Sequence, residues 1–342
     1  MVGSFLPGRI EVSYERYISS CGCLTYRFDT TTTLDRSSVF HYGKAFVKRL
    51  SRTWLRDRLN HRLLKVHKKL KPDLSIVFKG EDIYPQTIKF LSNLKNRSIF
   101  CFHADDPFNL SPGISNENIV ASIPHYDCYF MWTTSLIPIL YAHGAKKVEH
   151  LPFGYDPEYH RILSLSQRDV CTYGSDVVFV GNWDKERERW LRRLSCFNTG
   201  VWGEGYWRDR CRSKDVQKMW KRKAVYEIEM SKVLNASKVS LNMLRQQNKA
   251  RHNMRTFESP ACGAFTLAER SDEQKAYFDE DAEMVYYSSQ EELADKIQYY
   301  LKHEAIRERI AHNGYERCAS SGYSYLHRAK KILEVYHLMN TL

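Results

Sequence analysis

Short apolar runs closed by glycine, proline or acidic breakers alternate with stretches of helical period along nearly the whole chain, and this alternation constrains the fold more than any other feature. In the first half the runs are Leu74–Phe78 (LSIVF), Ser98–His103 (SIFCFH), Cys128–Trp132 and Lys147–Leu151. In the second they are Asp176–Val180 (DVVFV), Val201–Trp202, Val239–Met243 (VSLNM), Ala264–Ala268 and Met284–Tyr287. A continuous apolar run buries both faces of a strand, and a helical stretch between two runs buries one face, so the pattern predicts parallel sheets covered by helices. A β-loop-α-β opening is expected from a very short first strand, a helix over Glu11–Ser20 and a strand over Cys23–Phe28. Further helices are expected over Lys44–Lys71, Pro85–Leu94, Ile114–Ala121, Ser135–His143, Asp184–Leu194, Met230–Ala236, Arg255–Ala261, Glu273–Tyr277, Ser289–Lys302, His303–Arg317 and Tyr325–Met339.

The alternation lapses over Glu158–Gly174, which reads as a linker. A chain of 342 residues exceeds one ordinary core, so the expectation is two domains, 1–160 and 170–324, followed by a C-terminal helix, 325–342. The expected fold is α/β, with two doubly wound Rossmann-like parallel-sheet domains whose strand C-terminal ends face one cleft.

Composition narrows the partners. A net charge of +12 would suit nucleic acid, anionic lipid or phosphorylated small molecules. The basic residues concentrate in Lys44–Lys71 and Arg187–Lys223, where they are interleaved with Leu, Val and Trp at helical spacing. They read first as solvated helix faces and second as a polyanion site. A third reading is peripheral attraction to an anionic membrane leaflet carrying a lipid-linked acceptor. No nucleic-acid-binding motif accompanies the charge, so nucleic acid is not an expected partner. The nine cysteines include one C-x-C and no C-x-x-C, which argues against zinc or a disulfide framework and for a reducing compartment. With no secretory signal pattern and no run near 18 apolar residues, the protein is expected in the cytoplasm.

In wound sheets the loops after the strands carry function. A donor-rich loop (RQQNKARHN) runs through Asn253 into a helix that starts at Met254–Thr256 and is cut short by Gly263. Such a helix start attracts a diphosphate, with Arg255 adding charge and Thr256 another donor, and Glu258 one turn on could accept from ribose hydroxyls. The bland alternative is that Arg255 and Glu258 form an i,i+3 surface pair and Gly263 merely stops the helix. After Val201–Trp202, the segment Gly203-Glu204-Gly205-Tyr206-Trp207 combines flexible backbone with aromatic rings on which a base could stack, or it is a glycine turn over a core Trp. In the first half, His103-Ala104-Asp105-Asp106-Pro107 follows a strand. Asp105, Asp106 or His103 could be a general base, or the segment could be a turn. Lys79, Gly80 and Glu81 end the preceding strand on the acceptor side, where Lys79 could meet a phosphate or carboxylate.

The run RTFESPACGAF (Arg255–Phe265) resembles the donor-site signature of GT-B glycosyltransferases, and specifically the spore maturation protein CgeB-like group. The resemblance extends to Asp176–Asn182 followed by Arg187, to Val201–Gly205 and to Ser240-Leu241-Asn242. In the first half it takes in Lys79-Gly80, Asp105-Asp106-Pro107, Tyr126-Asp127 and Leu151–Pro157, so that it covers most of the chain in order. It implies a nucleoside diphosphate sugar held by the C-terminal domain, a hydroxyl acceptor on the N-terminal one, no cofactor and no required metal. Gly181, Asn182 and Arg187 match the family's phosphate loop, and Glu258 matches the second carboxylate of the Glu-x7-Glu motif. The first carboxylate is missing, because Ala250 stands eight residues earlier. The resemblance also implies a last helix crossing back to the N-terminal domain. The expected activity is therefore sugar transfer to a glycan, lipid-linked or protein hydroxyl in cell-surface or spore-coat synthesis. A sugar-nucleotide epimerase, a phosphorylase, or a non-catalytic protein docking phosphorylated or polyanionic glycans are the competing readings. No lysine sits in a recognisable Schiff-base setting for a phosphorylase's pyridoxal phosphate.

Overall fold

A computed structural model of the protein describes residues 1–33 and 45–341. Two compact units divide the chain: Met1–Pro152 with Arg328–Leu342, and Phe153–His327. Among the described residues the N-terminal unit holds six parallel strands, β1 (Val2–Gly3), β2 (Phe28–Asp29), β3 (Leu74–Phe78), β4 (Ser98–His103), β5 (Cys128–Met131) and β6 (Val148–His150), in the order β2-β1-β3-β4-β5-β6. The second unit holds five more, β7 (Ser175–Val180), β8 (Thr199–Trp202), β9 (Ser237–Asn242), β10 (Thr266–Glu269) and β11 (Val285–Tyr287), in the order β11-β10-β9-β7-β8. Each sheet winds one way from its first strand and then the other, so the winding reverses between β1 and β3 in one unit and between β7 and β9 in the other. Loops leaving the two strands at such a reversal diverge, which opens a crevice at their C-terminal ends within each sheet.

Alternation along β7 shows why these sequences make buried strands. Val177 and Phe179 enter one core with Val239, Leu241, Leu267 and Val285, while Val178 and Val180 enter another with Trp202, Met230, Val233 and Leu234. In the N-terminal unit Tyr14, from the helix Ile10–Ser20, wedges its ring between Phe78 and Phe102, at 5.4 and 5.6 Å between centroids. The last helix, Tyr325–Asn340, sets Tyr336 edge-on to Phe100 and donates from Asn340 Nδ2 to Ser98 Oγ at 3.2 Å.

Several expectations are corrected. The strand expected over Cys23–Phe28 shrinks to Phe28–Asp29, because it lies at the sheet edge, where Leu24 and Tyr26 are exposed. The stretch read as a linker contains the helix Gln167–Tyr173, started by a capping box in which Ser166 accepts from the Asp169 N–H and Asp169 accepts from the Ser166 N–H. The basic helix spans Ala45–Leu70, and Lys44 lies outside the described residues. Among the described residues no helix is long and apolar enough to cross a membrane.

Candidate functional site

The C-terminal unit builds its site from the loops at the β7/β9 reversal. Gly181 leaves β7 with its carbonyl accepting the Trp207 indole N–H at 2.9 Å. Gly203 leaves β8 with its carbonyl accepting the Trp220 indole N–H at 3.0 Å. A Cβ on Gly203 would lie 2.5 Å from Trp207 Nε1 and closer still to the Gly181 carbonyl, so only glycine lets the two loops meet. Trp207 is fully buried, and the segment is thus a glycine turn over a core Trp; Tyr206 stays half exposed beneath the Arg210 guanidinium, 4.9 Å from its ring centroid.

Arg187 is not an exposed helix charge. Its side chain is buried, with Nη2 donating to the Met243 carbonyl at 2.6 Å and Nη1 to the Asn182 carbonyl at 3.2 Å, which ties the loop after β7 to the end of β9. Burial lowers its pKa to about 10, still charged at neutral pH. Among the described residues its Nε has no hydrogen-bond partner, and Arg187 lines a small hollow with Glu186, Trp190, Met243, Leu244 and Glu269. Burial raises the Glu269 pKa there, although Glu269 accepts the Leu244 N–H at 2.9 Å.

The helix Arg255–Ala261 follows from its sequence: just ahead of it Asn253 Oδ1 accepts the Thr256 N–H at 3.2 Å, and Gly263, at φ +70°, ends it. The Thr256 amide is thereby engaged, and its fully buried hydroxyl donates to Gln274 Oε1 at 2.9 Å. Asn242 Nδ2 donates to the same oxygen at 2.8 Å, while Asn253 Nδ2 donates to Asn242 Oδ1 at 2.8 Å. These amides hold the loop rather than project from it. Arg255 turns back along its helix onto Glu258 and also donates from Nε to the Val180 carbonyl at 3.3 Å. The pair is i,i+3 but no surface pair, because Glu258 is only 2% exposed. Burial lowers the Arg255 pKa to about 10.

In the N-terminal unit, Lys79 follows β3 at φ +64° and its ammonium lies 3.4 Å from Asp105 Oδ2, 3.8 Å from Glu81 Oε2 and 2.5 Å from the Gly113 carbonyl. Gly80 follows at φ +75°, where a Cβ would press on the Tyr126 hydroxyl at 3.1 Å. His103 is fully buried, with Nδ1 against the Asp105 backbone and Nε2 without a hydrogen-bond partner among the described residues; burial lowers its pKa to about 4. Asp106 Oδ1 accepts the Phe108 N–H at 3.0 Å, a local turn bond. Lys79, Glu81, Asp105 and His103 therefore gather, while Asp106 faces its own turn.

Sequence reasoning missed three contributors. Glu11 sits in the first turn of its helix beside Gly3, its Oε1 accepting the Ser4 N–H at 3.3 Å, and burial raises its pKa despite the nearby Lys79. Gln274 accepts from both Asn242 and Thr256, and His160 approaches Glu258. The partners of Gln274 and His160 lie far along the chain, so no local spacing signals them; for Glu11, the early glycine before a helix carrying an acid was the available hint.

The glycosyl transferase-like family matches residues 185–334. No curated protein matches the sequence. Anabaena HepE, solved with UDP and glucose, is similar in structure with a TM-score of 0.64 and 11% identity, covering 100% of this chain and 99% of that one. Sucrose-phosphate synthase from Thermosynechococcus elongatus gives 0.62 and 13% over 83% of this chain and 78% of that one. A glycosyltransferase from Rickettsia africae gives 0.61 and 11% over 98% and 97%. At such identities the likeness concerns the fold. With two parallel-sheet α/β units and these neighbours, the chain has the GT-B fold, and its stretch 185–334 carries the pattern of the glycosyl transferase-like family.

Proposed function

We propose that the chain is a metal-independent, hexosyltransferase-like enzyme of the CgeB-like group, taking its sugar from a nucleoside diphosphate donor and passing it to a hydroxyl of a glycan, lipid-linked or protein acceptor. The observation that carries this is the Arg255–Glu258 pair, its carboxylate buried, at the β7/β9 reversal beside a loop that admits only glycine at Gly203. In this reading the acceptor oxygen forms a bond to the anomeric carbon while the bond from that carbon to the diphosphate oxygen breaks. Arg255 meets the charge left on the diphosphate, and Arg187 adds a fixed positive charge behind the loop; preorganised charge of this kind is usually the largest catalytic term. Glu258 accepts from the ribose hydroxyls. Gly181, Asn182 and Gly203 supply backbone close to the phosphates and base, Tyr206 an exposed ring, and Asn253 and Thr256 the rigid turn. On the N-terminal unit, Asp105, Asp106 or His103 takes the hydroxyl proton, while Lys79, Gly80 and Glu81 meet the acceptor.

The matching family over 185–334 and the UDP in the HepE structure support a nucleotide-sugar donor. The basic stretches support a cytoplasmic enzyme resting peripherally on an anionic membrane during surface or spore-coat glycan synthesis. A ligand-detected NMR screen with uridine, guanosine and thymidine diphosphates tests the donor, followed by turnover with and without EDTA. Glu258→Gln, which keeps the side-chain shape, is expected to raise donor KM about tenfold or more, the worth of one charged hydrogen bond. Unchanged donor kinetics would remove Glu258 from the site. Polyanion binding without turnover of any donor would favour the docking protein, to which the missing carboxylate at Ala250 points.

A further inference from the structure

Glu258 has a neighbour outside its own helix. His160 lies in the segment that opens the C-terminal unit, and its Nδ1 accepts the Asp156 N–H at 3.0 Å. A ring nitrogen that accepts carries no proton, so the neutral imidazole bears its hydrogen on Nε2. That nitrogen is 3.9 Å from Glu258 Oε1, whereas Arg255 engages Oε2. Both side chains are buried, and burial beside Arg255 holds the His160 pKa at about 3, so the ring is neutral at neutral pH. The segment is pinned independently. Ser231 Oγ donates to the Tyr159 carbonyl at 2.6 Å, the Leu163 N–H donates to Asn235 Oδ1 at 2.9 Å, and Ile162 packs where a Cβ on Gly263 would meet it at 2.8 Å.

We infer that His160 is a positioning residue for Glu258: its Nε2–H faces Oε1 and sets the orientation in which the carboxylate meets the donor ribose. The separation is wider than a direct hydrogen bond and close enough for a charge–dipole contact, so a shift of about 1 Å on donor binding closes it. The inference rests on the donor reading above.

Three variants test it. His160→Ala is expected to raise donor KM roughly tenfold with kcat little changed, in line with a hydrogen bond to a charged group. His160→Gln, whose amide reaches the Nε2 position, should recover most of that loss, and His160→Asn, which reaches only the Nδ1 position, should not. Rescue by Asn alone, or unchanged KM in all three, would overturn the inference. A second readout needs no donor. In the ligand-free protein, 15N imidazole shifts should show the Nε2–H form, and the 13C carboxyl signal of Glu258 should move in His160→Ala and return in His160→Gln. A proton on Nδ1, or a carboxyl signal indifferent to His160, overturns the coupling. A wild-type protein that ignores every nucleotide sugar while its carboxyl still responds to His160 overturns the donor reading alone and supports the coupling.

Discussion

Single residues here act through space they leave or charge they hide. Gly203 is the sharpest case of the first. In Gly203→Ala the new methyl would press on Trp207 Nε1 and the Gly181 carbonyl, both backed by core. The expected cost is about 1–3 kcal/mol in urea unfolding, together with weaker nucleotide binding as the two loops part. Buried histidines are the clearest case of the second. His67, His103 and His160 are held at about 4, 4 and 3 by burial. Unfolded, each titrates near 6.5, so between pH ~6.5 and ~4 the unfolded chain binds more protons than the folded one. Stability is thus full above that window and falls as pH drops through it, by at most about 1.4 kcal/mol per pH unit for each histidine. Unfolding free energies measured at pH 7 and pH 5 should show the loss, and His103→Gln should narrow the difference. Hydrophobic spacing carries no record of this. His103 ends an apolar run, which announces burial, but the Asp105 backbone against its Nδ1 is a matter of how the chain turns after β4.

At the scale of elements, the start of the helix Arg255–Ala261 is held in place because one side chain gathers several others. Gln274, from the helix Asp272–Tyr277, accepts from Asn242 at the end of β9 and from Thr256 in the helix Arg255–Ala261, and donates to the Glu269 carbonyl at the end of β10 at 2.6 Å. Gln274→Leu keeps most of the volume and leaves buried Asn242 and Thr256 without that acceptor. The expected loss is about 2–4 kcal/mol, with faster hydrogen exchange at Thr256–Glu258 as the local check. The helix Arg255–Ala261 was legible in the sequence because the polar loop before it and its terminating glycine are local signals. The helix Gln167–Tyr173 was not, since it buries none of its residues and so writes no apolar stripe; only the Ser166–Asp169 pair marked its start. The strand expected over Cys23–Phe28 failed for a related reason: β-pattern without a second neighbouring strand has nothing to pair with beyond two residues.

Across the whole molecule, the last helix is the element whose removal says most. Its residues Ala329, Ile332 and Val335 are fully buried, and from Arg328 onward it belongs to the N-terminal unit. Ending the chain after His327 should cost that unit on the order of 5 kcal/mol, from lost aliphatic burial and the stripped contact on Phe100. Calorimetry should then show an early transition, with binding of a hydrophobic dye at temperatures where the C-terminal unit stays folded. The sequence by itself determined most strands, most helices and the parallel winding, because side-chain spacing along a helix or strand dictates which face is buried, and a chain that alternates the two has few ways to wind. Only the tertiary structure decided which charges are hidden and what they meet. Arg187 reaching the Met243 carbonyl, Glu11 beside Gly3, and His160 facing Glu258 join residues from separate elements. Such meetings depend on strand order and loop path, which leave no periodic trace in the residues that take part.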